Sequence, residues 1–238
     1  MADRNALLAQ VQRDLLDGKP LADLLRKCIL LGSQSGSSEL RAWATKELKG
    51  YDKTEELPAY RKVSAHIQVD AVTGSTWIRG QTLAASQLPD FARDKITNEV
   101  SLSAGIGELE SLYESARSTG KNPQLSLPGW EYIAQAIDKA SGNPFQHIQS
   151  MYWTLSPSAI AGILDDVRTT LTEIIAELNV LVPDNQEVPT AEQAAQALNV
   201  AVHGGSPQFN IAADHLAHRL WWLHHRTRYG RPDWGRRT

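Results

Sequence analysis

Glu39, Glu47, Asp52 and Glu55 precede Arg61 in one stretch whose pattern predicts a helix end followed by a turn. Two carboxylates held about 5 to 10 Å apart in a cleft can share general acid and base work. The same residue types serve structure when a guanidinium pairs a carboxylate inside a buried turn. Their neighbours favour the second use. Trp43 supplies a core anchor bordered by Glu47, and Gly50 follows the last apolar position, Leu48, where a left-handed helix cap belongs. Trp43, Glu47, Gly50, Tyr51, Pro58, Tyr60 and Arg61 are therefore expected to be structural.

Histidines form the next group. Asp214 and His218 are one helical turn apart, His215 and His218 are three apart, and His224 and His225 follow. Zinc sites and general bases use such residues, yet the spacing matches no HExxH, HD or His-x-Glu/CxxC arrangement. His203-Gly204-Gly205 has the glycines of an oxyanion turn but no Gly-x-Ser-x-Gly nucleophile elsewhere, so a hairpin turn is expected. Gly105-Ile106-Gly107 lacks the third glycine and the lysine of nucleotide loops. Cys28, the one cysteine, shares a helical face with Leu21, Leu24, Leu25 and Leu31 and reads as core. No catalytic residue, metal or cofactor is assigned. The C-terminal segment has a sharper bias: from Arg219 onward six arginines stand against one acid, Asp233. Arg219, Trp221, Trp222, Arg226, Arg228, Arg231 and Trp234 suit a protein partner, where arginine and aromatics are anchors, or phosphates and bases of a nucleic acid.

The elements that must position these residues follow from periodicity. Leu7, Leu8, Val11, Leu15 and Leu16 recur at 3.6 residues, and three short helices fill residues 4 to about 50, with Gly32 and Gly36 as punctuation. After Tyr60 the period becomes two: Val63, Ala65, Ile67 and Val69, then Thr76, Ile78 and Gly80 across Thr73-Gly74-Ser75, predict a hairpin with one buried face. A helix follows Pro89, a strand covers 99–102, and Ile106 to Ala116 is helical. Pro123 and Pro128 bracket an extended piece, Pro128 opens the helix of Trp130, Ile133 and Ile137, and 146–155 is a further strand. Ser156 and Pro157 begin a long helix over 157–178 with an unbroken apolar stripe. The fold class is α+β: an N-terminal helical bundle packed with a small, mostly antiparallel sheet, one long helix and a C-terminal hairpin-helix extension. Residues 1–181 form the main domain, 182–190 a linker, and 191–238 the extension, with an interaction or oligomerisation role; a Thr190-x-x-Gln193 capping box opens an alanine-rich run to Ala197, and Leu198, Val200 and Val202 then alternate as a first strand.

Acidic and basic residues nearly balance at a net charge of −3, which gives no whole-chain case for nucleic acid or membrane binding. No apolar run approaches the length of a membrane span, so a soluble, cytoplasmic protein is expected.

One order of residues is more specific than these patterns. Leu24-Leu25-Arg26-Lys27-Cys28, a Gly/Ser break, Glu39-Leu40-x-x-Trp43-x-x-Lys46-Glu47-Leu48-x-Gly50-Tyr51 and Leu57-Pro58-x-Tyr60-Arg61 together resemble the AbiTii family. Gly105-Ile106-x-Glu108-Leu109-Glu110, and Trp153-x-Leu155-Ser156 with Gly162-Ile163-Leu164-x-x-Val167-Arg168, resemble it too, so the likeness covers about residues 5–180. The resemblance implies bacterial abortive-infection defence against phage and no particular reaction. A non-catalytic component is expected, working as a homo-oligomer or on a defence-system partner. The rivals are a nucleic-acid-binding protein using the basic tail and a hydrolytic, nuclease-like effector whose carboxylates gather only in the fold.

Overall fold

A computed structural model describes residues 6–183 and 186–204 of the chain. The leucine-rich start folds as α1 (Ala6–Leu16), α2 (Leu21–Ser35) and α3 (Ser38–Lys49). The Ser37 hydroxyl accepts from the Leu40 N–H at 3.2 Å and caps α3. Gly36 ends α2, whereas Gly32, expected as a stop, lies inside it. A Cβ at Gly32 would come 2.8 Å from the Arg41 backbone nitrogen, so this glycine lets α2 and α3 approach closely.

A short 3-10 turn, Ala59–Arg61, leads into β1 (Lys62–Thr73) and β2 (Thr76–Thr82), followed by α4 (Asp90–Arg93) and β3 (Glu99–Ser101). Next come α5 (Ile106–Thr119), β4 (Gln124–Ser126), α6 (Trp130–Ser141), β5 (Gln146–Leu155) and α7 (Pro157–Leu181). α8 (Ala191–His203) is the last described element. The fold is α+β, with an antiparallel sheet ordered β2-β1-β5-β4 and β3 paired to the start of β1.

Register assigns the two sheet faces. Ala65, Ile67 and Val69 pair with Leu155, Trp153 and Met151 on the buried face, while His66, Gln68 and Asp70 pair with Thr154, Tyr152 and Ser150 on the other. The hairpin departs from simple alternation. Gln81 pairs with Val69 but Ile78 with Ala71, so β2 uses three residues against two of β1 in a bulge where Gly80 has φ +63°. That bulge and the edge position leave Ile78 only half-buried and Trp77 60% exposed.

Two clusters make the core. The larger joins α1, α2, α3, α5, α7 and α8 to the Ala65–Leu155 end of the sheet, and the smaller packs Leu88, Leu127, Ile133 and their neighbours on Ile67, Val69 and Met151. The α7 stripe from Ile160 to Leu178 is buried as expected, each such side chain contributing about 1.5 to 3 kcal/mol.

Two boundaries differ from expectation. α6 is capped by Gly129 at φ +72°, which leaves Pro128 outside the helix. Leu198, Val200 and Val202, expected as a strand, belong to α8. Thr190 and Gln193 form a reciprocal capping box, and Ala194 and Ala197 are buried in the larger core, so the 3.6-residue alanine period overrides the period-two pattern. Gln193 Nε2 also donates to the Leu181 carbonyl at 2.7 Å, tying α8 to the end of α7. The compact unit therefore runs on to Gly204. The second strand of the expected hairpin and the helix beyond it lie outside the described residues.

Candidate functional site

The carboxylate that pairs Arg61 is Glu47, and both side chains are fully buried. Arg61 Nη2 meets Glu47 Oε2 at 2.5 Å, and Nη1 donates to the carbonyls of Ala104 at 2.5 Å and Leu102 at 3.2 Å. The other carboxylate oxygen accepts from the Tyr60 hydroxyl at 2.5 Å and from the Tyr51 hydroxyl. The guanidinium carbon sits 5.1 Å from the Tyr51 ring centroid. A charge in a core is costly unless paired and hydrogen-bonded, and here two charges, two phenols and two carbonyls satisfy one another, leaving Arg61 Nε without a partner. Burial first, and Glu47 second, push the Tyr51 and Tyr60 phenols far up, so both stay protonated as donors.

The backbone around this cluster is as tightly fitted. Tyr51 N–H donates to the Ser103 carbonyl at 2.9 Å, and Gly50 bridges to Ala104. A Cβ on Gly50 would lie 2.5 Å from the Ser103 oxygen, and one on Gly105 2.4 Å from the Leu48 oxygen. Gly50 has φ +96° and ψ 177°, so it is not the expected left-handed helical cap. Gly105 serves close backbone approach at the start of α5 rather than a phosphate loop. Pro58 precedes the 3-10 turn that carries Tyr60 and Arg61, and Trp43 is half-buried against the larger core. The arrangement fastens α3, β1 and the segment 102–105 together.

The remaining acids of this stretch do not join Glu47. Glu55 pairs with Lys46 at 2.8 Å on the surface, which holds its carboxyl below the usual range. Glu39 sits on the first turn of α3, where backbone and Ser38 hydrogen bonds lower its own. Cys28 is buried, which pushes its thiol up to about 12. His203 ends α8 and Gly204 takes the left-handed cap, so this pair is a helix end rather than a hairpin turn. Arg168 reaches from α7 to the Lys19 carbonyl at 3.1 Å. Asp214, His215, His218, His224 and His225 lie outside the described residues, as do Arg219, Trp221, Trp222, Arg226, Arg228, Arg231 and Trp234. Among the described residues no group of histidines, cysteines and carboxylates is placed to hold a metal ion, and no helix is long and apolar enough to cross a membrane.

Two clefts flank the sheet. One, of about 500 Å³, lies on the buried face, lined by Val69, Ile78, Leu88, Ile137 and Ile148 with glutamines among its polar groups. The other, of about 620 Å³, lies on the polar face. Gln68 and Asp70 of β1 and Tyr152 and Thr154 of β5 line it, together with Arg79 and Lys121. Asp70 accepts from the Gly80 N–H at 2.7 Å, the Tyr152 hydroxyl at 3.0 Å and the Ser150 hydroxyl at 3.2 Å. Burial, then the bond to Asp70, raises the Tyr152 phenol. Sequence reasoning missed this cleft. Its signal was the polar half of the alternation in β1, but the pairing of Gln68 and Asp70 with residues eighty or more positions away needs the register.

No curated protein and no solved structure matches this chain. The AbiTii family model matches residues 6–203, which takes in every helix and strand described above, the buried Glu47–Arg61 cluster and both clefts. With most of its 238 residues covered, the chain belongs to the AbiTii family.

Proposed function

We propose that this chain, from a family of abortive-infection defence proteins, acts as a non-catalytic module that assembles on itself or on a defence partner. The observation that supports this reading is the fate of the family-signature charges. Glu47 and Arg61 are both fully buried and are spent on each other and on Tyr51, Tyr60 and two carbonyls. Groups so enclosed hold a fold together and offer nothing to a substrate. Function then falls to the surface and to the C-terminal segment.

Charge supports the same reading. The last 34 residues carry six arginines against two aspartates, while the preceding 204 carry eighteen basic and twenty-five acidic residues. A second copy of the chain thus offers the arginine and tryptophan side chains a partner of matching charge. Light scattering tests this on the full chain and on a chain ended after Gly204, the limit of the compact unit. The full chain is expected to be the larger assembly, and equal subunit numbers would refute self-association through the segment. Incubation with RNA, DNA, ATP and NAD in the presence of Mg²⁺, Mn²⁺ or Zn²⁺ is expected to leave each intact. Cleavage would favour the hydrolytic-effector reading.

A further inference from the structure

The polar cleft has a division of chemistry that the assembly reading does not use. Its floor is β1 and β5, and its walls are the β2 bulge at Arg79–Gly80 and the turn Gly120–Asn122 before β4. In the order β2-β1-β5-β4 the walls are three strand spacings, about 14 Å, apart. Each wall supplies one cation, Arg79 and Lys121, and both are exposed. Neither forms an ion pair among the described residues, where the pairs found involve other side chains. Arg79 is instead held over the Trp77 ring at 5.7 Å.

The floor is built rather than incidental. Asp70 Oδ1 already accepts from the Gly80 N–H and the Tyr152 hydroxyl, whereas Oδ2 accepts from the Ser150 hydroxyl alone. A carboxylate oxygen has two lone-pair sites, so Oδ2 can take another hydroxyl. Thr154 donates to Gln68 Oε1 at 2.8 Å, which leaves the amide nitrogen of this cleft-lining residue as a further donor. A fixed carboxylate and a fixed amide complement alcohols, and cations at the rim complement a phosphate.

We propose that this cleft binds a small, hydroxyl-rich phosphate ester, the sugar-phosphate unit of which a nucleotide is one form. Hydroxyls meet Asp70 and Gln68, and the phosphate meets Lys121 or Arg79. A volume of about 620 Å³ lies within the range of small-molecule sites. The acidic balance of the first 204 residues disfavours a long polyanion over a small ligand.

Titration calorimetry on the full chain tests this with ribose 5-phosphate, AMP, inorganic phosphate and a ten-nucleotide single-stranded RNA. The two sugar phosphates are expected to bind more tightly than inorganic phosphate. Asp70→Asn, and whichever of Lys121→Ala and Arg79→Ala removes the phosphate's cation, are each expected to weaken them about tenfold, the order of one charge-assisted hydrogen bond. Lys121 stands on an exposed turn, so its variant is expected to keep the parent melting temperature and to report binding alone. No heat with either sugar phosphate would overturn the proposal. So would unchanged affinity in both Lys121→Ala and Arg79→Ala, inorganic phosphate binding as tightly as ribose 5-phosphate, or binding of the RNA without AMP.

Discussion

Arg61 couples three parts of the chain through one side chain, and removing it leaves Glu47 buried without its counter-charge. Breaking a buried ion pair by deleting one partner costs about 3 to 5 kcal/mol. Arg61→Ala and Glu47→Gln are both expected to lose stability on that scale in urea unfolding. A fully stable Arg61→Ala protein that had lost its biological activity would instead make Arg61 a functional residue. The two phenols add a pH dependence. Their folded pKa values lie above the ordinary value near 10, so the folded state holds protons that the unfolded state releases. Their contribution is complete below about pH 10 and declines as pH rises beyond it. Urea midpoints between neutral pH and about pH 11 should therefore fall at the alkaline end, and a Tyr51→Phe, Tyr60→Phe double variant should flatten that slope. The pairing of Arg61 with a carboxylate was legible in the sequence, because an arginine among Trp, Tyr and Pro needs a counter-ion. Its carbonyl partners at Leu102 and Ala104 were not, since only the close packing at Gly50 and Gly105 brings that segment within reach.

Elements were legible where one period ran unopposed. The α7 stripe, the β1 alternation and the strand at 146–155 follow from residue order, and the structure has them. α8 was legible at its start, where Thr190-x-x-Gln193 reads as a capping box, and not at its end: Leu198, Val200 and Val202 alternate, but they continue a helix that holds Ala194, Ala197 and Ala201 at helical spacing. Propensity and capping decide such a tie, and burial of Ala194 and Ala197 against the larger core completes it. The consequence concerns where the chain can be cut. A chain ended after Val182 would strip α8 from α7 and expose that surface, so it is expected to melt well below the parent, while a chain ended after Gly204 should melt close to it. Equal melting temperatures for both shortened chains would mean that α8 contributes nothing to the unit. Gly32 carries a related prediction. A methyl there would strike the Arg41 backbone, which cannot rotate aside, so Gly32→Ala is expected to cost about 1 to 3 kcal/mol in urea unfolding despite the better helix propensity of alanine.

At the scale of the whole molecule the near-zero net charge conceals a segregation. The first 204 residues are acidic and the last 34 basic, so a composition that gives no case for nucleic acid or membrane binding over the full chain hides two parts of opposite sign. The proposed self-association can then be separated by salt from an apolar alternative. Raising ionic strength from about 0.1 to 1 M shortens the Debye length from about 10 to 3 Å and weakens exposed charge pairs, while contacts made by burying tryptophan are not weakened by that screening. If the arginines supply the contact, the mass by light scattering should fall toward the monomer as salt rises, and replacing Arg226, Arg228 and Arg231 with glutamine should reproduce that fall at low salt. If Trp221, Trp222 and Trp234 supply it, the mass should hold at high salt and the triple arginine variant should remain associated. Dissociation by salt with no response to the triple arginine variant would place the charged contact on Arg219, Arg236 and Arg237 or on the described surface.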